Sequence, residues 1–425
     1  MIFITVGTLS FLAWGMFGKR KLLSVSFANL AGMLIFVALG LEFDPHENTL
    51  LTIAIGVGFY LFLLLGENAA RYMRINKKRY HRLGILLAHS PVSRAVLSGS
   101  FIIFGLLPLV RFLVSAQSLG DWALGTWAAD TTQETSRKLV ERAYTSATGL
   151  EALLAGIQSQ LLGFWYLSLG IVAHGKRRFL YPVLAAYSLG VLLTSEGARS
   201  LVMVSLALPI LILLLSADKR WRLRTVVLFG VVGIGILLSM DFLRIARQGL
   251  AVEGSLQNRI ERTLRVDFAY GGLGLNLGLN NLPESTEQGI NYVVRTAVLP
   301  IPRVLWPDKP TSNPNQEFTE RATGLSFASY GTILLFTPLG EALIYFGYMG
   351  IVVVPFLYGF MAVLLERLCL TSTVYLGLWA QVYIWAFVCM RLTFFNLFSV
   401  LIAANFTLLC MLFVGAHLIS KRRRT

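Results

Sequence analysis

The sequence predicts an all-α polytopic integral membrane protein with about eleven transmembrane helices, its N-terminus outside and its C-terminus cytoplasmic. Three observations carry this. Hydrophobic residues make up 56% of the chain and charged residues 14%, with a mean hydropathy of +0.67, more apolar surface than a soluble chain of 425 residues buries. Apolar runs of about 20 residues recur along the chain, divided by short charged breaks. The charges, finally, sort by side of the membrane.

The expected spans fall at 1–17, 23–41, 50–66, 95–115, 152–173, 179–195, 199–216, 225–241, 340–363, 373–391 and 394–419. The chain opens apolar at once, and its first basic cluster, Lys19-Arg20-Lys21, follows that run. This order points away from a cleaved secretory signal and toward a first helix with its N-terminus outside. Alternation then puts 18–22, 67–94, 174–178, 217–224, 364–372 and the C-terminal tail inside. These segments hold 22 of the 37 Lys and Arg but only 3 of the 22 Asp and Glu, leaving 15 basic and 19 acidic residues for the rest of the chain. The asymmetry fits the positive-inside rule. Attraction to the inner leaflet accounts for the net charge of +15, so no nucleic-acid partner is needed to explain it.

The whole chain, 1–425, reads as one membrane domain with two large extracytoplasmic loops, 116–150 and 242–339. Loops as long as the second are usually functional when they are not disordered, and this one carries enough aliphatic and aromatic residues to fold against the membrane. Within it, Gly271–Asn281 (GGLGLNLGLNN) lacks a phosphate-loop pattern and reads as a turn-rich loop. Cys369, Cys389 and Cys410 have no metal-ligand spacing and read as small buried hydrophobes, and the histidines form no HExxH pattern. No metal or cofactor is expected.

Outside, 13 of the 15 basic residues are Arg and two are Lys. Arg grips phosphate or carboxylate through a flat, paired fork, but it also snorkels to lipid phosphates. The stretch Ser255–Phe268 (SLQNRIERTLRVDF) is an amphipathic helix candidate, with Leu256, Ile260, Leu264 and Phe268 on one face and Arg259, Arg262 and Arg265 on another. It serves as a surface anchor or presents an arginine to an anionic lipid-linked group. In the short turn Thr194–Ser200 (TSEGARS), Glu196 and Arg199 sit near the outer leaflet and either clasp one another or line a polar cavity. Arg391 follows an apolar run as a snorkelling anchor or a pocket wall. Thr337–Leu343 (TPLGEAL) opens a helix in which Thr337 can cap, Pro338 suits the first position, and Glu341 either complements the helix dipole or acts as a base. The stiff, proline-rich Pro302–Pro310 (PRVLWPDKP) holds Arg303 and Lys309 in extended backbone. Its Trp306 either stacks on a sugar or seats the loop at the interface.

PRVLWPDKP resembles the outer loop of bacterial oligosaccharide repeat-unit polymerases, the Wzy-type O-antigen and exopolysaccharide polymerases. TSEGARS resembles their Gly-x-Arg turn, and Gly340–Ile351 (GEALIYFGYMGI) their Glu-initiated helix with spaced glycines. The matches cover about 195–360, in the family's order. The resemblance implies a glycosyltransferase in the bacterial inner membrane that transfers a growing glycan from undecaprenyl pyrophosphate onto a new lipid-linked repeat unit, without metal. It implies membrane lipids and a chain-length-regulating co-polymerase as partners. Arg or Lys donors would hold the leaving pyrophosphate and a carboxylate would deprotonate the acceptor hydroxyl. The candidates are Arg199, Arg265, Arg303, Lys309 and Arg391 for the diphosphate, Trp306 for the glycan, and Glu341, then Glu196 and Asp267, for the base. The alternatives are an O-antigen ligase, made less attractive by the absence of His from 242–339, and a lipid-oligosaccharide flippase or transporter, for which no internal repeat is found.

Overall fold

The computed structural model describes residues 24–34, 49–91, 163–172, 270–283, 286–298, 337–388 and 405–421, with a few isolated positions between them. The described residues are mostly helical, with no strand among them. In chain order the helices are α1 (Val25–Gly32), α2 (Thr49–Tyr72), α3 (Lys77–His89), α4 (Gly163–Val172), α5 (Tyr270–Asn280), α6 (Thr286–Ala297), α7 (Thr337–Phe346), α8 (Gly350–Cys369), α9 (Leu376–Val388) and α10 (Phe406–Lys421). Among the described residues, two stretches, Leu50–Tyr72 and Thr337–Cys369, are long and apolar enough to cross a membrane. The expected spans at 1–17, 95–115, 179–195, 199–216 and 225–241, and the 116–150 loop, fall almost wholly outside the described residues.

The α2–α8 pair forms the centre. A Cβ added to Gly66 would sit 2.0 Å from the Phe356 carbonyl oxygen, and one added to Gly359 would sit 2.3 Å from that of Leu63. The two backbones therefore touch where side chains are missing, as in close-packed membrane helices. Helices α1, α5, α7 and α9 complete one apolar core around Phe59, Leu63, Leu343 and Tyr358. A second core, around Trp165 and Trp379, joins α4, α9 and the start of α10.

Several sequence boundaries move. The span expected at 50–66 runs on to Tyr72, because Glu67 and Arg71 find partners inside the protein and do not end the helix. The 67–94 connection contains a helix, α3, whose first turn is closed by Asn76 Oδ1 accepting from the Arg79 amide at 3.2 Å. The final helix begins at Phe406 among the described residues, with residues 395–404 largely outside them.

The span expected at 340–363 is not one helix. Phe346 leaves helical geometry, Gly347 has φ +60, and a short 3-10 turn (Gly347–Met349) follows. Gly350 then lies so close to Ala342 that an added Cβ would stand 2.0 Å from its carbonyl oxygen. Residues eight apart in one straight helix would be about 12 Å apart along the axis, so α7 turns back against the start of α8. The ten residues of α7 reach about 15 Å, half of a hydrocarbon core of about 30 Å, whereas the 20 of α8 reach about 30 Å.

Gly271–Asn281, expected to be a turn-rich loop, is almost all of α5. Glycine and asparagine are poor helix formers, but tertiary packing overrides that preference. Gly274 and Gly278 recur four residues apart and face α7. A Cβ on Gly340 would meet the Gly274 carbonyl oxygen at 2.5 Å, and one on Gly278 would meet the Leu343 Cβ at 2.8 Å. The glycines permit a close helix crossing that larger residues would block. Cys369 is half-buried, as a small apolar residue, but Cys410 is exposed on α10.

Candidate functional site

Every described residue of α7 from Thr337 to Tyr345 is buried, Glu341 completely. Glu341 lies just beyond the first turn, so the dipole of its own helix is a weaker reason for its presence than the sequence suggested. Thr337 does not cap α7: it stands at φ +50 and its buried hydroxyl makes no hydrogen bond. A β-branched residue in left-handed backbone is strained, and such strain is retained only where the surroundings enforce it.

Tertiary contacts hold Glu341. Its Oε1 accepts from the Tyr292 hydroxyl on α6, and its Oε2 accepts from the backbone amide of Phe394. Tyr292 is itself buried, stacked on Tyr345 with ring centroids 4.3 Å apart and edge-on to Phe346 at 5.8 Å. Burial, and after it the Glu341 carboxylate, pushes the Tyr292 phenol well above its usual range, so it stays a hydrogen-bond donor through the physiological pH range. Phe394 packs at 6.2 Å from Tyr358, whose hydroxyl donates to the Ala386 carbonyl at 2.7 Å. Arg391 stands three residues before Phe394, half-buried in the turn that ends α9, with its amide donating to the Val388 carbonyl at 3.0 Å. Three distant stretches, at Tyr292, Glu341 and Phe394, thus converge on one carboxylate.

Of the sequence candidates, Glu341 and Arg391 are brought into this neighbourhood. Trp306 is 39% exposed, at the surface and not in the core. Glu196, Arg199, Arg265, Asp267, Arg303 and Lys309 lie outside the described residues, as does most of PRVLWPDKP. Tyr292 was not singled out in the sequence, because one Tyr in a polar stretch carries no distinguishing pattern.

A second buried polar cluster sits near the other end of α8, about 24 Å along the axis from Gly350 to Glu366. Glu67, 1% exposed, accepts from Ser26 Oγ at 2.5 Å and from Asn29 Nδ2 at 2.9 Å, with the Arg71 guanidinium 3.7 Å away. Arg71 also donates to Ser26 Oγ at 2.5 Å. Glu366 accepts from the Val25 amide at 2.7 Å, capping the start of α1 together with Ser24. Arg367 donates to the Ala70 carbonyl. Both carboxylates fall in segments expected from the sequence to be charged inner connections, yet both are buried in helices. No group of three or more His, Cys, Asp or Glu suited to a metal occurs among the described residues.

No protein-family profile, curated protein or solved structure matches the chain.

Proposed function

We propose that this chain is a multi-pass membrane glycosyltransferase that polymerises undecaprenyl-pyrophosphate-linked repeat units at the outer face of the bacterial inner membrane. The observation that carries the reading is Glu341, a fully buried carboxylate tied to Tyr292 and to the peptide three residues from Arg391. A transferase of this kind needs a proton acceptor beside a fixed cation. The acceptor sugar's hydroxyl oxygen bonds to the donor's anomeric carbon as the carbon–oxygen bond to pyrophosphate breaks. The bonding electrons leave with the pyrophosphate, whose charge Arg391 and the outer arginines offset, and the hydroxyl proton passes to Glu341. Tyr292 and the Phe394 amide each take one lone pair of a different carboxylate oxygen, so an acceptor hydroxyl can join them at the remaining lone pairs.

The test is a proteoliposome reconstitution with purified lipid-linked repeat units, read as a glycan ladder. Wild-type protein should extend the ladder, and Glu341→Gln should stop it while remaining folded. Full ladders from the variant would remove Glu341 from the chemistry.

One observation favours a transporter as the second reading. The buried half-length helix α7, turned back on α8 at Gly347, resembles the broken helices of secondary transporters. Movement of a fluorescent lipid-linked oligosaccharide across the bilayer without ladder formation would select it.

A further inference from the structure

A cavity of about 240 Å³ lies between α3, α8, α9 and α10, at the Cys369 end of α8 and so far from Glu341. Its wall is mainly apolar, with Leu365, Leu368, Leu378, Leu408 and Leu412 among its residues, and the buried Gln381 and Asn405 add two polar side chains. A cavity of about 150 Å³ with apolar walls can stay dry and take an apolar guest. Several wall residues, among them Leu365, Leu409 and Leu412, are half-buried and not fully enclosed, which opens the cavity toward the surroundings of the helices. In a bilayer those surroundings are acyl chains.

The first turn of the helix beside the cavity carries the opposite chemistry. Tyr80 lines the cavity from α3, and the Tyr375 hydroxyl donates to the Tyr80 carbonyl at 3.1 Å, fixing α3 beside the opening. Immediately before Tyr80 stand Lys77 and Lys78, both exposed, and Arg79, half-buried. Helix α3 (KKRYHRLGILLAH) contains no acidic residue to neutralise them. On the same helix Ile85 and Leu86 are 41% and 57% exposed, while Leu83 and Gly84 pack inward. A helix with a basic start and an uncovered apolar shoulder matches the depth of a headgroup–acyl boundary.

We propose that the cavity and the basic first turn of α3 form a binding site for an anionic phospholipid of the inner leaflet, one acyl chain entering the cavity and the headgroup phosphate resting on Lys77, Lys78 and Arg79. The assignment rests on the membrane reading of the fold and is independent of the transferase reading, because nothing at this site touches Glu341 or Arg391. It gives α3 a purpose that a plain connection lacks: the lipid fills the space between α9 and α10 and fastens the cytoplasmic ends of those helices.

The test uses the full chain in detergent, incubated with phosphatidylglycerol, phosphatidylcholine or a polyprenyl phosphate, with bound lipid counted by native mass spectrometry. Wild-type protein should retain phosphatidylglycerol at least about 10-fold better than phosphatidylcholine, a conservative figure for three basic residues near a lipid phosphate. The triple change Lys77→Gln/Lys78→Gln/Arg79→Gln should bring the two lipids to parity without lowering the melting temperature. Leu408→Trp, which fills the cavity, should reduce retention of both phospholipids. Because Leu408→Trp also risks misfolding, the triple variant carries the decision alone if needed. Equal retention of the two phospholipids by wild-type protein overturns the proposal, as does a preference that survives the triple change. Displacement of phosphatidylglycerol by equimolar polyprenyl phosphate also overturns it, since the cavity would then belong to the isoprenoid substrate.

Discussion

Glu341 and Glu67 are both buried carboxylates on helices of the same core, yet they are held in different ways. Glu67 receives a hydroxyl and a side-chain amide from α1, and a guanidinium on its own helix stands 3.7 Å away, itself bonded to the same hydroxyl. That arrangement offsets the charge locally and ties α1 to α2. Glu366 extends it by capping α1 from α8. Glu341 instead takes a phenol from α6 and a peptide amide from the segment after α9, both neutral donors, on a short helix that turns back at Gly347. The first cluster has the form of a clasp between helices. The second places a carboxylate where α6, α7 and the segment after α9 meet. A buried carboxylate alone therefore does not mark a site; the source of its partners separates the two cases.

The sharpest way to break this comparison is to change Glu341 itself. Glu341→Gln keeps the shape and should cost about 10²- to 10⁴-fold in polymerisation rate, the range for loss of a general base, with little change in melting temperature. Glu67→Ala should do the reverse. It leaves Arg71 and Asn29 facing an empty buried site and should lower stability by about 3–5 kcal/mol, seen as a lower melting temperature in detergent, while the activity per folded molecule stays near wild type. If the stable fraction of Glu67→Ala is inactive, the inner cluster is more than a clasp.

Smaller effects sharpen the difference. Gly340→Val forces a side chain against the Gly274 carbonyl and should destabilise by about 1–3 kcal/mol, and it should also reduce activity by shifting Glu341. Tyr292→Phe removes one donor from Glu341 and should change the rate only about 5-fold, near the 1 kcal/mol of a typical hydrogen bond. Because the folded Tyr292 phenol is raised above its free value near 10, its contribution to stability is fully present below pH 10 and is lost only as pH rises beyond that. The alkaline limb of the pH–activity profile below pH 10 should therefore be the same in wild type and Tyr292→Phe.

Much of the helical, membrane-like character was legible in hydropathy, and Glu341 was legible because a lone acid in TPLGEAL interrupts an apolar run. The break between α7 and α8 was not, since Thr337–Cys369 is long and apolar enough to read as one span and the backbone at Gly347 divides it. Composition misled at α5: glycines that would weaken an isolated helix are what allow this one to approach α7. Charge counting misled at Glu67 and Glu366, because sequence position places an acid near a membrane edge without revealing the Ser, Asn and peptide donors that draw it inside. Tyr292 carried no signal, as its role depends on a contact 49 residues away in the chain.

The central claim is that, in the proposed function, the Glu341 carboxylate does chemistry and the Glu67 carboxylate beside Arg71 does not. Side-by-side reconstitution of Glu341→Gln and Glu67→Gln with purified lipid-linked repeat units tests it most directly, each normalised to folded protein. The account predicts no ladder from Glu341→Gln and a near-normal ladder from Glu67→Gln. A full ladder from Glu341→Gln, or its loss in folded Glu67→Gln, would contradict it.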